Sequence, residues 1–287
     1  MNNFDFQKDL KNEISNILKD SDLKVSLDQN IQKILIDFFN LKSKILEPKK
    51  RNVFIVSEFE DQIKSHHKRL EIETIIQLAL DGGNLNCFQT DKIIQSKQID
   101  HLSNEWNIFH FHLSLESFKK PKFVKRGNHL LFAYIDEENI IFLGLDKHKD
   151  SFANLKWLEV LEKDYPHILK KFLAPDLPQV RQNFTNSDRE KMWESGLSSG
   201  FMNINGKTYL SPGFGKVTSG HNLKVIVQSN NILHWITYVE DIIRKNEIID
   251  KKSINLKLRI SENSIEIYEK EKGDVFFEYP SFESKNK

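Results

Sequence analysis

A chain of 287 residues, of which 39% are hydrophobic and 21 are Phe, is long enough for two domains with apolar cores. A net charge of +1 excludes a uniformly basic surface, so any nucleic-acid contact must come from a local patch. The apolar runs are shorter than the roughly 20 residues that span a bilayer, and the single cysteine, Cys87, excludes an internal disulfide. With an N-terminus that lacks the pattern of a secretory signal, these features predict a cytoplasmic protein, and abundant Lys, Asn and Ile indicate a bacterial one.

The first predicted region, residues 1–50, is helical. Apolar residues recur there at helical spacing in two stripes, the first at Ile14, Ile17 and Leu18. The pattern ends at Pro48, because proline cannot continue a helix.

The second predicted region, residues 51–173, is an α+β domain. A helix over 58–83, which closes at two glycines, precedes the strand NIFHFHLSL at 107–115. A β-hairpin follows at 129–146 around an acidic turn, and a helix is predicted over 151–165.

The third predicted region, residues 191–287, is a second α+β domain. A surface connection at 174–190, which contains Pro175 and Pro178, separates it from the central domain. The predicted strands of this domain lie near 200–210, 222–229, 254–260, 264–269 and 274–279, and its predicted helix lies near 231–246. The overall fold class is therefore α+β, with a helical N-terminal region, a central hairpin-containing domain and a C-terminal domain.

Two histidines are separated by a single residue in the predicted strand 107–115. Because strand side chains alternate between faces, His110 and His112 share one face with Ile108 and Ser114, while the phenylalanines occupy the other. The phenylalanine face is predicted to be buried, and the histidines are predicted to project together from a polar face, about 6–7 Å apart. A solvated face, an acid–base pair and a metal site all remain open as interpretations.

The metal interpretation requires at least a third ligand, because His-x-His supplies two. Asp146 and His148, at the end of the later strand, are the candidates, and the alternative set is His110, His112 and Asp146. A second histidine-containing motif, SHHKR at 65–69, is predicted to be the solvated face of a helix rather than a ligand set.

A cationic segment, SFKKPKFVKR at 117–126, directly follows the histidine strand. Its basic side chains suit a nucleic-acid backbone, and its interleaved phenylalanines suit stacking on bases. A solvated loop is the alternative interpretation. The basic residues are Lys119, Lys120, Lys122, Lys125 and Arg126.

The stretch RGNHLLFAYIDEENIIFLGLDKHKD, residues 126–150, resembles the C-terminal hairpin of RelE/YoeB-type toxins. In that family a strand leads through an acidic turn to an apolar strand and a basic or His-containing tail. The resemblance covers about 25 of the 287 residues and implies a metal-independent ribonuclease in which Arg126 and His148 act at the cleaved phosphate. Family members are small single domains, whereas this chain has long extensions on both sides of the hairpin.

The leading prediction is a ribonuclease-like toxin or phage-defence effector that cleaves RNA without a cofactor. His110 and His112 would provide the general acid and base, Arg126 would stabilise charge on the phosphate, and His148 would assist. The expected partners are RNA and an antitoxin or other protein, with no membrane. Two alternatives remain open: a metal-dependent nuclease or hydrolase that uses the His-x-His site, and a non-enzymatic nucleic-acid-binding or regulatory protein.

Overall fold

The computed structural model describes residues 4–19, 21, 23–96, 100–116, 123–147, 152–177, 184–213, 215, 221–245, 254–261 and 264–280. These residues form nine α-helices, two short 3-10 helices and nine strands in three sheets, which confirms the α+β prediction. The helices are α1 (Phe6–Lys19), α2 (Ile31–Lys42), α3 (Ser57–Ser65), α4 (Arg69–Leu80), α5 (His101–Trp106), α6 (Lys156–Asp164), α7 (Pro166–Lys170), α8 (Asn186–Glu194) and α9 (Leu223–Lys245). The strands are β1 (Asn52–Ile55), β2 (Ile108–His112), β3 (His129–Ile135), β4 (Asn139–Lys147), β5 (Phe201–Ile204), β6 (Lys207–Leu210), β7 (Leu256–Ile260), β8 (Ser264–Glu269) and β9 (Val275–Pro280). The 3-10 helices are Leu85–Phe88 and Asp91–Ile94.

The chain divides into two compact units that differ from the predicted regions 1–50, 51–173 and 191–287. The reason is that α1 and α2 share one apolar core with α9 and the sheet β7–β8–β9, so the two ends of the chain belong together. The first unit comprises Met1–Leu41, Ile94–Lys97 and Lys224–Lys287, and the second comprises Lys42–Ile93 and Gln98–Leu223.

The first unit combines three helices with an antiparallel sheet in the order β7–β8–β9. Helix α1 contributes an apolar stripe to the core because its apolar residues recur every four positions on one face. The residues of that stripe are Phe6, Leu10, Ile14 and Leu18. The side chain of Asp9 on this helix also accepts a hydrogen bond of 3.3 Å from the backbone N–H of Leu258.

The predicted strand at 222–229 is wrong, because this segment is the first part of α9. Locally the run of β-branched residues Val225, Ile226 and Val227 favours a strand. Over the 23 residues of α9, however, the buried side chains recur at helical spacing, and tertiary burial decides the conformation. Even so, no helix of the described residues combines the length and apolar character that crossing a bilayer requires.

The second unit is built on a sheet in the order β1–β4–β3–β2. Strands β2, β3 and β4 are antiparallel, so the predicted hairpin is confirmed, and β1 pairs in parallel with β4. Helix α6 covers one face of this sheet, where Trp157 stacks on Phe132 at a ring-centroid distance of 4.3 Å. Gly144 permits this close approach, because a Cβ at that position would lie 3.3 Å from the Trp157 ring.

The helix predicted over 58–83 is interrupted, and the motif 65–69 is therefore not a continuous helical face. Helix α3 ends before His66, whose backbone is extended with φ −77° and ψ 135°. Helix α4 begins at Arg69, whose N–H donates to the carbonyl of His66. The histidines of this motif consequently lie in the short connection between two helices.

Candidate metal centre

The two histidines of β2 are buried, which contradicts the prediction that they project from a polar face. They do share one side of the strand, with ring centroids 6.2 Å apart. His110 is 8% exposed and His112 is 2% exposed, and the His110 ring packs edge-on against Phe152 at 4.9 Å. Alternation identifies which side chains share a face, but here both faces of the strand are covered, and all five residues of β2 are buried.

An acidic partner lies beside His110. Its Nδ1 is 3.2 Å from Oδ2 of Asp100, which also caps α5 by accepting N–H groups of Leu102 and Ser103. Burial acts to raise the pKa of Asp100, but the contact with His110 and the Ser103 amide outweigh it, and the net pKa lies below 3.8. Asp100 therefore places a negative charge beside the imidazole, but the ring packs against phenylalanine.

The predicted cationic patch is only partly described. Arg126 donates to Oδ1 of Asp91 at 2.5 Å and to Oγ1 of Thr90 at 2.7 Å. Lys125 lies 3.4 Å from a carboxylate oxygen of Glu116. Both described cations thus have acidic partners. Outside the described residues lie Lys119, Lys120, Lys122 and His148.

The alternative metal set of His110, His112 and Asp146 is not brought together around one point. Asp146 instead forms an ion pair with Lys156 on α6, and its second oxygen accepts the backbone N–H of Lys147 at 2.7 Å. In the described part of the chain, a different set of side chains satisfies the distance requirement for a shared ion.

That set consists of His66, His67 and His129, each of which offers one ring nitrogen within 4.8 Å of the other two. Their ring centroids are separated by 4.4 Å, 5.5 Å and 5.1 Å. A tetrahedral zinc ion holds nitrogen ligands at about 2.0–2.1 Å, which places those nitrogens about 3.3 Å from one another.

Three element boundaries bring these histidines together. His66 and His67 belong to the connection between α3 and α4, and His129 is the first residue of β3, opposite Lys147 of β4. Side chains at the ends of helices and strands need not pack into the core or alternate across a sheet. They are therefore available for ligand contacts on a rigid frame.

The protonation of His66 favours ligation. Burial lowers the pKa of His66, and the proximity of His67 and His129 lowers this pKa further, which favours the neutral ring that can bind a metal ion. Its Nδ1 accepts the backbone N–H of Lys68 at 3.1 Å. Ligation would break this hydrogen bond whichever ring nitrogen binds the ion. If Nδ1 binds the ion, its lone pair is used; if Nε2 binds the ion, Nδ1 of the neutral ring carries the proton and cannot accept.

An open depression of about 500 Å³ borders the cluster. Three protein ligands with an open side leave coordination positions for water or substrate, which is the arrangement of catalytic rather than structural zinc sites. Besides the three histidines, the depression is lined by Gln62, Ser65, Leu145, Asp146 and Lys147.

A separate polar cluster is buried between α5 and α8. Trp193 donates its indole N–H to Oε1 of Glu105 at 2.8 Å, and the Arg189 guanidinium donates to the carbonyl of Ala153. Burial raises the pKa of Glu105 to about 7, against the opposing effect of Arg189. The His101 ring stacks on Trp193 at 5.0 Å, so this cluster holds two helices together.

Sequence reasoning missed the three-histidine cluster for two reasons. The adjacent pair His66 and His67 was assigned to a helix, where neighbouring side chains diverge. The third member, His129, is distant in sequence and is brought close only by the docking of the α3–α4 connection near the start of β3. An adjacent histidine pair beside a break in helical periodicity is the signal that points to this site.

Comparisons with protein-family models, with curated proteins and with solved structures found no match for this chain. The resemblance of residues 126–150 to RelE/YoeB-type toxins therefore stays a prediction. Function must be argued from the site itself.

Proposed function

We propose that the protein is a metal-dependent hydrolase with one divalent transition-metal ion, preferably zinc, held by His66, His67 and His129. The observation that carries this proposal is the convergence of three ring nitrogens at an open depression. Imidazole nitrogen suits zinc better than it suits magnesium or calcium, which prefer oxygen ligands.

The open side of the cluster supports hydrolysis rather than a structural role. Water on such an ion has a pKa of about 7, so hydroxide is available at neutral pH. His66, His67 and His129 would hold the ion, and the side chains of Gln62 and Ser65 border the space where a substrate would lie.

The metal-free ribonuclease remains a prediction with less support than the metal centre. A general acid or base must come within about 2.6–3.2 Å of the proton that it transfers. His110 and His112 are covered by the residues around β2, and the described cations Lys125 and Arg126 already have acidic partners.

Metal uptake by the chelator-treated full chain tests the proposal. Titration with Co²⁺ should give one bound ion per chain and the visible absorption of a low-symmetry nitrogen-ligated site, and Zn²⁺ should displace it. The His67→Ala variant should lose this signal. The matched control is His234→Ala, which removes another exposed histidine from α9. Equal metal binding by wild type and His67→Ala would overturn the assignment.

Catalysis is tested separately with the zinc-loaded chain. Hydrolysis of bis(p-nitrophenyl) phosphate or p-nitrophenyl acetate should require the metal and should be lost in His67→Ala but not in His234→Ala. Tight metal binding with no metal-dependent hydrolysis of either ester would favour the non-enzymatic alternative.

A further inference from the structure

We infer that the ligand of this centre carries a phosphoryl group that Lys147 holds against the metal; this inference rests on the proposed function. Lys147 is exposed at the end of β4 and lines the depression. It is the direct register partner of His129, so its backbone lies beside one of the proposed metal ligands.

The charges around the depression leave Lys147 as a cation without an acidic partner among the residues that the structure describes. The other nearby cations are compensated. Lys156 pairs with Asp146, Lys68 pairs with Glu71 at 2.5 Å, and Arg69 pairs with Glu73 at 2.6 Å. Each of these three cations is therefore matched by a carboxylate. A divalent ion next to Lys147 therefore makes this depression a positively charged site, which recruits an anion.

The chemistry favours a phosphoryl group over a carboxylate. A phosphate monoester offers three non-bridging oxygens, which match a metal ion, the Lys147 ammonium and the neutral donors Gln62 and Ser65. The depression of about 500 Å³ has room for a small phosphoester. Lysine binds phosphate as a point charge, so it does not require the bidentate geometry of an arginine.

The reaction that follows is hydrolysis of a phosphoester. A bond forms between the water oxygen and phosphorus, and the ester P–O bond breaks. The electron pair of that bond stays with the leaving oxygen, which receives one proton from the attacking water. The products are an alcohol and a phosphate with one fewer ester bond, and no oxidant or reductant is required.

Binding of phenylphosphonate to the Co²⁺-loaded full chain tests this inference, with benzoate as the carboxylate comparison. The readout is the change in the visible absorption of bound Co²⁺. We expect phenylphosphonate to bind more tightly than benzoate. We expect Lys147→Gln to weaken phenylphosphonate binding about tenfold while leaving Co²⁺ affinity unchanged. The matched control is Lys163→Gln, which removes an exposed lysine on α6 that does not line the depression.

The outcomes separate this inference from the proposed function. If Co²⁺ does not bind to the wild type, both are wrong. If Co²⁺ binds but Lys147→Gln changes phenylphosphonate affinity no more than Lys163→Gln does, only the phosphoryl inference is overturned. Tighter binding of benzoate than of phenylphosphonate would also overturn it.

Discussion

The two histidine groups lie in the same unit but have opposite environments. His110 and His112 lie within β2, where both faces of the strand are covered. His66, His67 and His129 lie at the end of a helix and the start of a strand, beside an open depression. The His110 and His112 pair is thus easily noticed in the sequence but is inaccessible to a ligand. The His66 and His67 pair is less noticeable in the sequence but is accessible.

The difference between the two groups comes from what covers the sheet. An antiparallel sheet with one solvated face would have exposed His110 and His112, as the alternation predicts. Here the aromatic residues Phe152 and Trp157 pack over that face. Ligand chemistry is therefore expected at the ends of the elements, and four predictions examine this contrast.

The largest effect is expected for zinc affinity. His129→Ala should weaken zinc binding about 100- to 1,000-fold, or about 2.7–4.1 kcal/mol, because it removes one of three ligands. His112→Ala should leave zinc affinity unchanged. Competition against a chromogenic chelator measures both. An equal loss in His112→Ala would show that the β2 histidines take part in metal binding after all.

The next effect concerns pH and the buried helix α5 that precedes β2. The folded-state pKa of Glu105 is raised from 4.5 to about 7. Between these two pH values, the folded state therefore keeps a proton on Glu105 that the unfolded chain has released. This contribution to stability, on the order of 3 kcal/mol, is fully present below pH 4.5 and is lost as the pH rises through 7.

Urea denaturation at pH 5 and pH 7.5 measures this effect as a difference between wild type and Glu105→Gln. The glutamine retains an acceptor for the Trp193 indole N–H but cannot ionise. The free energy of unfolding of the wild type should fall more between the two pH values than that of the variant. Parallel pH profiles would mean that Glu105 has an ordinary pKa.

A smaller effect is expected for stability at the two histidine groups. His112→Ala should lower the free energy of unfolding by about 2 kcal/mol, because it truncates a buried side chain. His67→Ala should change the stability of the metal-free protein by less than about 0.5 kcal/mol, because His67 is exposed. Thermal unfolding in the presence of chelator compares the two variants. A larger loss of stability in His67→Ala than in His112→Ala would contradict the assignment of His112 as buried and His67 as exposed.

The smallest effect is expected at the cationic segment. Arg126→Gln should cost about 0.5 kcal/mol in stability, because the exposed pair with Asp91 is screened by solvent. If Arg126 instead binds RNA, the substitution should lower the salt dependence of RNA affinity by about one unit. Filter binding at several salt concentrations distinguishes these two roles.

Local patterns predicted the strands well. The segments 254–260, 264–269 and 274–279 match β7, β8 and β9 to within two residues, and the hairpin around Asp136 is present as predicted. In β7, apolar and polar residues alternate, and the strand buries Leu256 and Leu258; in the hairpin, continuous apolar runs match strands that are covered on both faces. The prediction for 222–229 is wrong because the strand preference of its short β-branched run is overridden by burial along the whole of α9.

Features that depend on distant contacts could not be read from the sequence. The cover over His110 and His112 is supplied by residues that follow the hairpin, and no local pattern of β2 reveals it. The cluster of His66, His67 and His129 likewise depends on docking between segments far apart in the chain. Periodicity identifies faces and elements, but it does not identify which elements pack on which faces.

The discontinuous first unit also determines the order in which the protein can be completed during synthesis. Helix α1 buries its apolar stripe in a core that includes α9 and the last three strands. At ribosomal rates of roughly 5–20 residues per second, that stripe waits roughly 10–50 seconds for its partners to emerge. Residues 42–93 and 98–223 are complete earlier and can fold while the nascent chain still grows. The newly made N-terminal helices therefore expose their apolar stripe until α9 and the last strands emerge, and termination before α9 leaves that stripe without its partners.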